Sequence, residues 1–150
     1  MNKFKIMLGA VIVCALSACS TPPSETVVKP RGGELSSRTL KPGECGLFVW
    51  NKQTRKFILF SQSGQSAVIV KEDEELSLSA TRLGESDLYA QIPSQSLVDI
   101  EGVTYELSLR KGQDINEGLS YKDGSLQYKD SKNWQRVVPV FGLSFCQPEL

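Results

Sequence analysis

The chain has 150 residues, with 17 basic and 17 acidic side chains, no histidine and four cysteines. Lack of histidine excludes Ser-His-Asp and Cys-His nucleophile arrangements and the usual His-containing zinc sets. Balanced charge excludes the concentrated basic field that nucleic-acid binding needs, and no G-x-x-x-x-G-K-[ST] or G-x-G-x-x-G run is present to cradle a nucleotide cofactor.

At the N-terminus, Lys3 and Lys5 precede an uncharged, mostly apolar stretch of eleven residues, Ile6 to Leu16. Spanning a bilayer takes about 20 residues, so this stretch reads as a cleavable export signal. It ends in Leu16-Ser17-Ala18-Cys19, which resembles the lipobox of bacterial lipoproteins. The resemblance implies cleavage before Cys19, with a diacylglyceryl thioether on its sulfur and an acyl chain on its new amino terminus. Each buried methylene contributes about 0.8 kcal/mol, so several chains together hold a protein to a membrane stably. Ser20 stands where some lipoproteins carry the aspartate that retains them at the inner membrane, which implies an outer-membrane, periplasm-facing address.

Loss of residues 1–18 leaves 15 basic against 17 acidic side chains. Cys14 leaves with the signal and Cys19 takes the lipid, so Cys45 and Cys146 remain. An even remainder in an oxidising compartment reads as a disulfide. Closing a loop of about 100 residues stabilises by up to about 4.7 kcal/mol in the entropy model.

Residues 19–42 read as a lipidated, flexible tether, rich in Ser, Thr, Pro and Gly and without a sustained apolar period. A coil of about 23 residues reaches about 25 Å root-mean-square. Val27, Val28 and Leu35 are the positions at which it would pack on a domain instead. The folded domain is expected over residues 43–150.

Within that domain, Cys45 to Trp50 and Phe57 to Phe60 are apolar at every position, which predicts strands covered on both faces. Ser63-Gly64 turns the chain into a strand over Ala67 to Val70. Residues 72–83 fit a strand through Leu76, Leu78 and Ala80, and a helix through Leu76, Ala80 and Leu83; strand is preferred. Val103 to Arg110 alternates, with Val103, Tyr105, Leu107 and Leu109 predicted inward. Glu101-Gly102 and Asp123-Gly124 read as hairpin turns. Pro139, lacking an N–H, predicts an edge or a bulge within Val137 to Phe141. The pattern predicts an all-β domain, a small disulfide-stapled antiparallel barrel or sandwich of eight or nine short strands.

Few side chains stand out for chemistry. Glu72-Asp73-Glu74-Glu75 lacks the spacing of a calcium loop and reads as a solvated turn, so no metal is expected. Trp134, next to Arg136 and after the polar stretch Asp130 to Asn133, is the candidate surface anchor, with packing in the core as the competing reading. Tyr89, Tyr121 and Tyr128 are weaker candidates, and Trp50 reads as core.

Pro42-Gly43-Glu44-Cys45-Gly46-Leu47-Phe48-Val49-Trp50, and Trp134 to Leu143 followed by Cys146, resemble the opening and closing motifs of a family of small alphaproteobacterial lipoproteins or secreted proteins. The resemblance brackets about 100 residues and supports the pairing of Cys45 with Cys146, but carries no activity. In architecture the chain is also similar to membrane-bound inhibitors of c-type lysozyme. Their Ser-Gly-centred loop is followed by an aromatic and a basic residue, whereas Ser63-Gly64-Gln65 lacks the following tyrosine and no Phe-Trp pair stands downstream.

By elimination the sequence reads as a non-enzymatic, cofactor-free binding or assembly module with an envelope protein as partner. An inhibitor of an envelope-attacking enzyme is the second reading. A histidine-free glycan hydrolase using paired carboxylates is the third.

Overall fold

A computed structural model describes residues 32–62, 66–83, 94–116 and 118–149. Eight antiparallel strands follow one another in chain order and close into a barrel. They are β1 (Cys45–Asn51), β2 (Phe57–Gln62), β3 (Ser66–Lys71), β4 (Glu74–Leu83), β5 (Ser94–Val98), β6 (Thr104–Ile115), β7 (Gly118–Lys129) and β8 (Gln135–Cys146). The choice between barrel and sandwich is settled by the β1–β8 ladder, which runs from Cys45↔Cys146 to Asn51↔Val140 and leaves no open edge.

The interior is filled by alternate residues of every strand, including Leu47, Leu59, Ile69, Leu78, Leu97, Tyr105, Leu107, Leu126 and Val140. β6 follows its predicted alternation, with Tyr105, Leu107 and Leu109 buried and Thr104, Glu106, Ser108 and Arg110 exposed. Along β6, polar residues thus face outward and apolar ones inward.

A second cluster lies outside the barrel wall. Leu35 and Leu40 pack on Phe48, Phe57 and Phe60, with Trp50, Val68 and Phe145 around them. This outer layer is the reason the runs Cys45 to Trp50 of β1 and Phe57 to Phe60 of β2 are apolar on both faces. Phe48 stacks near Phe60 and Phe145, with ring centroids 5.0 and 5.3 Å apart. Trp50, expected in the core, belongs to this outer cluster and rests on Phe141 at 5.6 Å.

The expected boundary at residue 42 therefore needs correction. Leu35 and Leu40 are buried, at 3 % and 8 % exposure. The Leu35 amide donates to the Phe57 carbonyl at 2.8 Å, and the Glu75 carboxylate accepts from the Ser36 amide at 2.9 Å and from Ser36 Oγ and Arg38. Residues 34–42 form a strap on the barrel, because two leucines, ten and five positions before β1, suffice to cover an aromatic face that β1 and β2 cannot bury alone. Val27 and Val28 lie outside the described residues.

The hydrogen bonds from Ser36, and then the Arg38 charge, hold the Glu75 carboxyl below its ordinary value of 4.5. A lowered folded-state value stabilises the strap above the ordinary value, and this contribution is lost as pH falls through the lowered one. Amide exchange of residues 34–40, corrected for intrinsic rates, is expected to lose protection between neutral pH and about pH 3. Glu75→Gln should show the weaker protection at both; unchanged protection in that variant would refute the clasp.

Residues 74–83 are strand, paired with β3 from Ser66↔Ser79 to Lys71↔Glu74. Glu72 and Asp73 are the two loop residues of that hairpin, at φ 51° and 70°. Positive φ at both central positions is the type I′ geometry that matches strand twist. Glu101-Gly102 is a turn as predicted, with Gly102 at φ 83°. Asp123-Gly124 is not a turn but a bulged part of β7, where register shifts against β8 between Tyr121 and Gly124. Glycine is needed there because an added Cβ would lie 2.5 Å from the Ser108 carbonyl oxygen of β6. Pro139 sits where β8 passes the end of β1. Its carbonyl accepts from the Lys52 amide, so its missing N–H points the same way, beyond the β1 ladder, and costs no pairing with β7. Ser63-Gly64 lies outside the described residues.

Candidate functional site

An up-and-down barrel gathers alternate connections at each end. Residues 52–56, 72–73, 99–103 and 130–134 therefore form one rim, while Cys45 and Cys146 lie at the other. The strap begins at the turn-bearing rim. Lys56 Nζ donates to the Gly32 carbonyl, and a Cβ on Gly32 would stand 3.0 Å from Asp73 Oδ1. The strap then descends the wall to Leu40, whose side chain approaches Gly46 near the far end.

Two aspartates build the rim turns. Asp99 Oδ1 accepts from the Glu101 and Val103 amides, both at 2.9 Å, and Oδ2 accepts from the buried Tyr105 hydroxyl at 3.1 Å. Burial first, then Asp99, push the Tyr105 hydroxyl far up from its ordinary value, so it stays a donor. Asp130 Oδ1 accepts from the Lys132 amide at 3.0 Å and the Trp134 amide at 2.9 Å, and Oδ2 accepts from Arg136 Nε at 2.8 Å. The Trp134 amide, followed by the Arg136 side chain, holds the Asp130 carboxyl below its ordinary value. Asn133, at φ 62°, closes the turn by donating to the Asp130 carbonyl.

These bonds fix the Trp134 backbone and leave its ring 68 % exposed. Trp134 is thus at the surface and not packed in the core. Arg136 lies beside it but is paired with Asp130, so it braces the turn as well as presenting charge. Ile100, 98 % exposed at the tip of the β5–β6 turn, and Val137, 58 % exposed at the start of β8, share this rim. Sequence reasoning passed over both. A single isoleucine set between Asp99 and Glu101-Gly102 was the available signal.

A groove of about 740 Å³ runs between the β5–β6 and β7–β8 turns, past Val103, Thr104, Glu106, Tyr128 and Gln135. Its acids are engaged: Glu106 accepts from Ser96 Oγ at 2.7 Å, and Asp130 holds its turn. The groove therefore offers polar recognition more readily than a pair of carboxylates poised over a glycosidic bond. Tyr128 is half-buried and packs on Tyr105 at 5.2 Å, and Tyr121 is inside the barrel at 1 % exposure, so neither is a surface anchor. Tyr89 and the Ser63-Gly64-Gln65 segment lie outside the described residues.

The Glu72 to Glu75 run does not converge. Its first two residues make a turn and Glu75 faces the strap, and among the described residues no three metal-ligating side chains come together. Lys52 bridges from the β1–β2 loop to Asp123 on β7, whose carboxyl this bond and charge hold below its ordinary value. Cys45 and Cys146 are joined, directly opposite each other where β1 meets β8. No family model, curated protein or solved structure matches the chain.

Proposed function

We propose that the protein is a membrane-tethered, non-enzymatic binding module of the bacterial envelope, anchored by lipid on Cys19 and working through the four-turn rim. The observation that carries this reading is the braced exposure of Trp134. A large aromatic ring is held out of the core by a turn whose polar groups are satisfied without it. Trp, Tyr and Arg dominate binding energy where they anchor a contact. The barrel behind the rim is a packed scaffold, and rigid elements present contact groups at low entropic cost.

The lipidation reading rests on Leu16-Ser17-Ala18-Cys19, and an envelope address agrees with the disulfide, since such bonds persist in oxidising compartments. Placing a photo-crosslinking residue at position 134 of the lipidated protein in its own envelope tests the contact surface. Adducts are expected there and not from position 115, an exposed isoleucine at the opposite end. Equal yields from both positions, or none, would remove the rim from consideration.

A further inference from the structure

Among the described residues, the exposed large hydrophobics are Ile100, Trp134, Val137 and Ile115. Three of these four are on the turn-bearing rim, and that is also the end at which the strap begins at Gly32. Twelve residues lie between Cys19 and Gly32, so thirteen Cα–Cα steps join the two. Whatever their conformation, they span at most about 45 Å. The chain thus returns to its acylated cysteine from the same end that carries the apolar tips. Had the strap run the other way along the wall, Cys45 and its neighbours would lie nearest the anchor, about 20 Å away along the strands.

Taking Cys19 as acylated and the rim as the contact surface, we propose that the rim's partner is the bilayer itself. The barrel stands rim-down on the membrane that holds it, with Ile100 and Trp134 entering the headgroup layer. Tryptophan suits that layer, since its ring is apolar and its N–H is wet. Two tips and a valine are too little for firm binding from solution. The lipid on Cys19 makes the encounter intramolecular, so a weak contact suffices.

Rim charge is mixed. Lys56, Lys71 and Lys132 stand among Glu72, Glu74 and Glu101. Attraction to anionic lipid is therefore not the driving term, and docking should change little with salt. The polar outward faces of β4 and β6 agree with a barrel that rests on a membrane without crossing it.

The test uses the native lipidated protein reconstituted in phosphatidylethanolamine–phosphatidylglycerol vesicles, with and without brominated acyl chains. Emission of Trp134 is obtained by subtracting the Trp134→Phe protein, which reports Trp50 alone. The expected result is a blue-shifted Trp134 signal that is lost to bromine, with Ile100→Glu restoring the water-exposed emission. Emission at the water-exposed position and insensitive to bromine would overturn the proposal. If position 134 then still crosslinks to an envelope protein, the rim remains the contact surface and only the bilayer is wrong. Mass spectrometry showing no acyl chains on the Cys19 peptide would overturn the proposal through its premise.

Discussion

Reducing the Cys45–Cys146 disulfide, or replacing both cysteines by alanine, is expected to lower the free energy of unfolding by about 2–5 kcal/mol. The bond joins the first and last strands of the barrel across 101 residues, so it removes a large loop-closure entropy from the unfolded chain. Its location makes the effect structural as well. The β1–β8 ladder is the seam that turns a sheet into a barrel, and Cys45↔Cys146 is its terminal pair. β1 and β8 are the paired strands farthest apart in the chain. The seam is therefore the pairing with the highest loop-closure cost. Denaturant titration of oxidised and reduced protein, compared at equal slope, measures the difference; a change below about 1 kcal/mol would show that the seam is held by its hydrogen bonds and packing alone.

Local pattern made the strands legible, while long-range packing hid the rest. The alternation through Tyr105, Leu107 and Leu109 fixed the inward face of β6, because a half-buried strand has a two-residue period. The doubly apolar β1 and β2 announced cover on both faces but not what supplied it. That cover is Leu35 and Leu40, two residues in a stretch whose Gly, Ser and Pro content otherwise reads as linker. Asp123-Gly124 misled because a glycine demanded by the close approach of β6 has the same local signature as one demanded by a turn. Barrel closure itself is a property of the β1–β8 register, which no local window contains.

The rim was legible in part. The polar stretch before Trp134 left both a surface ring and a core ring open, and the structure places the residue at the surface. The bracing role of Asp130 also follows from its residue type, since aspartate accepts from amides two and four residues on. What the sequence could not supply is that Ile100, Trp134, Val137 and the start of the strap occupy one end. That coincidence comes from the consecutive antiparallel order, which sends alternate connections to one end, and from the direction in which the strap crosses the wall.

Replacing Leu35 and Leu40 together by alanine is expected to cost about 4–6 kcal/mol, since each buried leucine truncated to alanine typically costs about 2–5 kcal/mol. The lower part of that range applies because the cluster lies on the outer wall, where neighbouring rings can partly collapse into the space. Trp50, packed on Phe57 at 5.4 Å within that cluster, provides the optical signal. Denaturation of the double variant, followed by tryptophan emission, measures the loss; a cost below about 1 kcal/mol would mean that the strap merely rests on the barrel and that the domain begins near residue 43. The same variant bears on orientation. With the strap released, the chain joins the barrel at Cys45, at the end opposite Trp134, and twelve further residues, 33–44, lengthen the path to Cys19. On the proposed docking, rim contact at the membrane should then fall with the Cys19 anchor unchanged, because that proposal makes the strap set which end of the barrel faces the bilayer.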